Sequence, residues 1–240
     1  MTTLVKITVT LLMGLLLSSC VFEMDLGKGK RGNGKIVEDQ REVSEDFTSV
    51  LATEGIDVFI MQGADFNIEV EADENIIDLI GTDIKDGRLK VHAIENIGRA
   101  TKKVYVTLPE ITALSSSSGA DLIAKNKIET DKIRLSASSG SDLKVEISAE
   151  EIEADASSGA DIRISGDTNT LYADASSGSD IRARDLLAKT CRAGASSGAD
   201  IRVNVSESLI ANASSGADIS YTGNASVQKK KSVSGSVRKY

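Results

Sequence analysis

The sequence has no Trp, one Pro, one His and two Cys among 240 residues, and only 3% of it is aromatic. Each shortage excludes something. A core built on large rings is out of reach, so burial has to come from Ile, Leu, Val and Ala, which short stacked strands can use. One histidine (His92) and two cysteines (Cys20 and Cys191) are too few for a zinc site of the usual nitrogen and sulfur type. Basic residues are also in deficit. With 28 Lys and Arg against 36 Asp and Glu, the net charge is −8, which disfavours general nucleic-acid binding. Nothing calls for a cofactor, and 240 residues suffice for one large domain or two small ones.

What the chain does have is a repeat. The motif Ser-Ser-Gly-[Ala/Ser]-Asp occurs six times, with glycines at Gly119, Gly140, Gly159, Gly178, Gly198 and Gly216, 18 to 21 residues apart. Self-similarity at a near-fixed period of this size predicts a solenoid, with each repeat one coil on the next. The repeats align on Asp121, Asp142, Asp161, Asp180, Asp200 and Asp218. The next residue is always Leu or Ile (Leu122, Leu143, Ile162, Ile181, Ile201, Ile219) and the one after is mostly basic (Lys144, Arg163, Arg182, Arg202). Side chains alternate faces along a strand, so the Leu/Ile column points inward and the Asp and Lys/Arg columns point outward. Before the motif, Ala137, Ala156, Ala175, Ala195 and Ala213 form one inward column. Ile133, Ile152, Leu171, Cys191 and Leu209 form another, which makes Cys191 a small buried hydrophobe. Glycine suits the corner between the two strands. A coil of this length has a perimeter of at most ~63 Å, and six coils stack to roughly 29 Å. The scatter in coil length is expected away from the motif, where an extra residue loops out without moving the ladder.

The first residues read differently. Lys6 precedes an apolar run from Ile7 to Leu17, of signal-peptide length and too short to span a bilayer. It ends in Leu17-Ser18-Ser19-Cys20, the pattern of a bacterial lipobox. The expectation is cleavage before Cys20 and acylation of its thiol, with two or three chains giving stable anchoring. Lipidation of Cys20 leaves Cys191 without a disulfide partner. Val21 follows in place of the aspartate linked to inner-membrane retention, which favours the outer membrane.

The expected organisation is therefore a signal peptide over 1–19, the lipidated Cys20 with a flexible basic tether over 20–35, and one β-solenoid domain over 36–240. Within it, 36–113 hold irregular strands, 114–223 the regular coils and 224–240 a C-terminal cap. Gly27, Gly29 and Gly32 fit G-x-G-x-x-G formally, without the strand and helix that a dinucleotide loop needs. Alternation predicts strands at 56–60, 66–70, 89–93 and 104–108, with turns at Gly63, Gly81 and Asp86-Gly87, and leaves 74–81 open between a short helix and a strand. Open ends of such a stack invite aggregation. The basic C-terminal residues and the acidic stretch from Glu38 to Glu45 are candidates to cover them.

The Asp column is the sharpest chemical candidate. Carboxylates ~4.8 Å apart repel by about 1 kcal/mol in water and more at lower dielectric. The main reading is structural: each Asp accepts backbone N–H bonds at its corner, and the Lys/Arg column neutralises it. The alternative is a calcium ladder on Asp121, Asp142, Asp161, Asp180, Asp200 and Asp218. A glycosidase site needs two acids set apart by environment, and equivalent repeats set none apart. Gly194-Ala195-Ser196-Ser197-Gly198 matches the G-x-S-x-G elbow, but only because Gly194 precedes a repeat where other coils carry Ser136, Asp155, Asp174 and Asn212. No catalytic residue is assigned. The stacked serines either hydrogen-bond along the stack, the main reading, or face solvent as a polar strip able to bind sugars.

Several of these segments, taken in order, resemble a known family. The lipobox, the Gly-rich tether, Phe47-Thr48-Ser49-Val50, Gly55-Ile56-Asp57-Val58, Val104-Tyr105-Val106-Thr107-Leu108-Pro109 and the serial coils are similar to the head GIN domain of auto-transporter adhesins. The coils here are more regular than the looser Gly-Ser-Gly-Asp versions typical of it. The resemblance implies an all-β, right-handed parallel β-helix in the envelope of a Gram-negative bacterium, with no catalytic residues to carry over. The resulting expectation is a non-catalytic binding or adhesion module at the outer membrane, on its periplasmic face or the cell surface. Its partners are the membrane, through the lipid on Cys20, and a glycan or protein surface. A self-associating structural lipoprotein and a carbohydrate-active enzyme stand behind it.

Overall fold

The computed structural model describes residues 29–229 and 234–240. The expected signal peptide, Cys20 and the first part of the tether lie outside these residues. The fold is a parallel β-solenoid. Its regular part is built from β10 (Ile128–Ala137), β11 (Asp142–Ala156), β12 (Asp161–Ala175), β13 (Asp180–Ala195) and β14 (Asp200–Ala213). Each strand wraps most of a coil and lies parallel to the next in near-constant register, Asp142 beside Asp161, Asp161 beside Asp180, and Asp180 beside Asp200.

The motif makes the corner. In the coil of Gly159, Ser158 has φ 53° and Gly159 has φ 72°, and the Ala160 amide donates to Ser157 O at 3.2 Å. Two successive positive φ values with an i to i+3 bond describe a type I′ turn, which favours Gly at its second central residue. The Gly amide then donates to the second Ser of the following coil, at 3.1 Å from Gly159 to Ser177 O. The residue after Gly is buried inside the corner, where Ala or Ser fits. Where it is Ser it is bonded: Ser179 Oγ donates to Ala156 O (2.9 Å) and accepts from the Ser176 amide (3.1 Å).

The inward columns are as expected. The Leu/Ile column from Leu122 to Ile219 is fully buried, and so are the Ala column and the Ile133-to-Leu209 column. Extra residues fall outside the motif, at Ala124–Lys127 in the longest coil and around Arg184–Leu186 in the coil of Gly178, where the register shifts.

The N-terminal half departs from simple stacking. β2 (Ser49–Ala52) and β3 (Asp57–Gln62) form a complete coil whose corner, Thr53-Glu54-Gly55-Ile56-Asp57, is a seventh, degenerate copy of the motif. This coil pairs directly with β8 (Ala113–Ser116) and β9 (Asp121–Ala124), although fifty residues separate them in the chain. The intervening chain returns beneath it as β6 (Arg88–Ala93) and β7 (Lys102–Leu108), parallel to β2 and β3. β4 (Asn67–Asp73) then covers β7 antiparallel, β1 (Ile36–Gln40) covers β4, and β5 (Ile80–Lys85) covers β6. The open segment 74–81 is a 3-10 turn at Ile77–Leu79 leading into β5. The few large rings sit mainly in this half: Phe47 is buried and packs on Phe66, and Phe59 stacks on Tyr105.

Two boundaries differ from expectation. The end of the tether is fixed to the domain: the buried Asp73 accepts from the Gly34 amide (2.5 Å) and the Thr101 amide (2.7 Å), and Lys30 bridges Ile97. Asp73 fills the space a side chain at residue 32 would need, so Gly32 serves packing here. At the other end, β15 (Asp218–Thr222), β16 (Ser226–Lys229) and β17 (Ser236–Lys239) continue the parallel ladder instead of crossing it as a cap.

Candidate functional site

Two outward columns flank each corner, and both carry aspartates. After the corner, the Asp column is closed by arginine. Arg163 bridges Asp142 (3.1 Å) and Asp161 (3.0 Å), Arg182 bridges Asp161 (3.4 Å) and Asp180 (2.9 Å), and Arg202 reaches Asp180 (3.7 Å) and Asp200 (3.3 Å). Neutralisation by the basic column is thus present. Corner capping by Asp is not, because the Gly159, Ala160 and Asp161 amides already donate to backbone carbonyls. Three guanidiniums occupy the gaps from Asp142 to Asp200, where the calcium ladder would place its ions. At the two ends Asp218 faces Ser220 of its own coil, and Asp121 lies beside Asp57 with Ile123 where an arginine would be. Burial, then Asp57 and Asp142, lifts the Asp121 carboxyl above the usual carboxylate range. Among the described residues no group of three or more His, Cys, Asp or Glu is arranged to hold a metal ion.

Before the corner the picture is different. Ser136, Asp155, Asp174, Gly194 and Asn212 stand in register, one per coil, on the outside of the Ala strand. With Ser157, Ser176, Ser196 and Ser214 they line a shallow groove of about 390 Å³ running along the stack. No arginine bridges Asp155 to Asp174. Burial in the groove wall raises the Asp155 carboxyl, with Arg134 opposing and Glu153 adding. Burial likewise raises Asp174, the neighbouring Asp155 adds to it and Arg192 opposes it. Both tips still reach solvent, so the cause is partial loss of their water shell along the concave wall. A side chain at residue 194 would meet Asp174 Oδ1 at 2.2 Å, so Gly194 leaves room for that carboxylate to lean along the groove. Sequence reasoning quoted this column only to dismiss the elbow at Ser196. Variation alone does not single it out, because Arg134, Glu153, Tyr172, Arg192 and Ile210 on the same face also change from coil to coil.

The remaining candidates fall elsewhere. His92 lies on β6 with Nε2 2.7 Å from Asp83 Oδ2, six ladder steps or about 29 Å from β13 and its Ser196. The elbow therefore has no base, and a corner, not a helix, follows its serine. Cys191 is buried, and burial pushes its thiol up to about 12. No helix among the described residues is long and apolar enough to cross a membrane.

The fold is shared with solved structures. A "putative adhesin" from Bacteroides fragilis matches with a TM-score of 0.81 at 18% identity, over 88% of this chain and 100% of that one. A "putative lipid binding protein" from Parabacteroides distasonis gives 0.73 at 18% identity, over 89% of this chain and 100% of that one. A "putative adhesin" from Parabacteroides merdae gives 0.72 at 18% identity, over 89% and 99%. No curated protein matches the sequence. The family profile described as "Putative auto-transporter adhesin, head GIN domain" matches residues 46–225, most of the chain, and the chain belongs to that family.

Proposed function

We propose that this protein is a lipid-anchored adhesion module of the outer membrane, and that it binds without turnover through the groove before the corner. One observation carries the reading: Asp155 and Asp174 stand in register, unbridged by any arginine, within a strip of hydroxyl and amide groups. Such a strip suits a hydroxyl-rich ligand, a glycan above all, laid along the stack. The anchor on Cys20 rests on the lipobox, and the adhesin description of the family agrees with an envelope location.

A catalytic reading draws on the same two acids, since a retaining glycosidase also needs a carboxyl pair. Division of labour between acid and base requires environments that push two pKa values apart. Here burial moves Asp155 and Asp174 in the same direction, which favours binding. A glycan array on the detergent-solubilised protein, run with a hydrolysis control, tests both. The expected result is retention of a glycan that comes back intact, lost in the Asp155→Asn/Asp174→Asn variant. A shortened glycan would favour the enzyme, and no glycan retained would overturn this ligand class. Metabolic labelling with a fatty acid, absent in Cys20→Ser, tests the anchor.

A further inference from the structure

The two ends of the solenoid match along one of its two strand columns. At the C-terminal end, β16 and β17 each pair on one side only among the described residues, leaving two open strand edges. At the N-terminal end the outermost strands are β1 and β5, again two open edges. These edges belong to the same two columns. β1 tops the column that descends through β4, β7, β3, β9 and the first halves of the coils to β17. β5 tops the one that descends through β6, β2, β8 and β10 to β16, one rung shorter, and β5 runs antiparallel to the rest of it.

In the β1 column direction matches as well. β1 is antiparallel to β4, and β4 is antiparallel to β7, so β1 runs the same way as the coil strands and β17. A β1 set beside a β17 would extend the parallel ladder. Charge is complementary: the C-terminal edges expose Lys229, Arg238 and Lys239, whereas β1 and the residues after it expose Glu38, Glu42, Glu45 and Asp46. Lys229 Nζ donates to Val237 O at 2.7 Å, so a lysine shields a carbonyl of the last rung. That contact is the kind by which solitary edges are blunted. It is also easily exchanged, because a flexible exposed ammonium can turn to a carboxylate of an arriving strand.

We infer that the partner of the C-terminal end is the N-terminal end of a second copy of this chain, joined head to tail with β17 beside β1. The contact is heterologous, so it propagates as a filament unless rotation closes it. The lipid anchor, where the proposed function holds, sets the direction of growth. Nine residues from Cys20 to Gly29 reach at most about 32 Å. The ten ladder steps from β1 to β17 span about 48 Å. A second copy standing on the first would outrun its tether, so anchored copies join only with the stack axis lying along the membrane.

Cysteine cross-linking of the full chain in native membranes tests this, since Cys191 is buried and the Cys20 thiol is acylated where the proposed function holds. Glu38→Cys/Lys239→Cys is expected to give a ladder of multimers under mild oxidation, and Glu38→Cys or Lys239→Cys alone none. Charge reversal by Lys239→Glu with Arg238→Glu is expected to lower the multimer fraction of the detergent-solubilised full chain at least tenfold in sedimentation. Adding Glu38→Lys and Glu42→Lys is expected to restore it. Dimers from Lys239→Cys alone would mean tail-to-tail pairing and overturn the proposal. So would a monomer at every concentration in low salt. Glycan retention is read separately, so failure here leaves the groove reading standing and the reverse also holds.

Discussion

The two faces that flank each corner are built from the same strands and the same residue types, yet they differ in what their aspartates face. After the corner, Asp142, Asp161, Asp180 and Asp200 recur in every coil, and Arg163, Arg182 and Arg202 fill the gaps between them. Before the corner, Asp155 and Asp174 occupy a column whose other members are Ser136, Gly194 and Asn212, and among the described residues no ion pair joins them, Arg134 and Arg192 acting only from a distance. A residue that recurs at every rung serves the rung. A position free to vary from coil to coil is not needed for stacking, and its chemistry is available to something else.

Three variants break or sharpen this contrast. The largest effect is expected beneath the closed face. Ile181 is fully buried between Asp180 and Arg182, and Ile181→Ala should cost about 2–5 kcal/mol in a denaturant melt. A cost under about 0.5 kcal/mol, as on an open surface, would mean that the column does not form the core. Next comes the ladder itself. Arg182→Gln leaves Asp161 and Asp180 facing each other and should cost on the order of 1–2 kcal/mol. Partial exposure keeps this below a buried pair, and salt should narrow the gap between variant and wild type.

The smallest effect carries the opposite sign. Asp155 and Asp174 have folded pKa values above their unfolded ones, so the folded state holds more protons. Stability from these groups is therefore full below about pH 3.9 and falls as pH rises through their raised values. Asp155→Asn/Asp174→Asn should then melt slightly higher than wild type at pH 7 and lose that advantage below about pH 4. Destabilisation at pH 7 would mean that the pair is structural, like the column across the corner.

Much of the regular half was legible because its periodicity has one physical cause. Alternation put Ile162 inside and Asp161 and Arg163 outside, and the recurring glycine marked a corner that needs positive φ. The N-terminal half resisted because its neighbours are distant in sequence. Nothing local says that β6 and β7 slip beneath β2 and β3, or that Glu54-Gly55-Ile56-Asp57 is a corner of the same ladder. The C-terminal coil was missed for a related reason. Ser236 and Val237 stand where Asp218 and Ile219 stand one rung earlier, and the residues before them also depart from Ser-Ser-Gly-Ala, which hides the motif. The glycines predict a flexible tether to Lys35, whereas Asp73 pins its end through backbone amides that composition does not reveal.

By itself the sequence determined the coil: its length, its corner, its inward columns and its family, because each follows from short-range alternation and a fixed repeat. Only the tertiary structure decided which aspartates are spoken for. Whether a carboxylate meets a guanidinium or an open groove depends on the coil above and the coil below, and those contacts exist only once the chain has stacked.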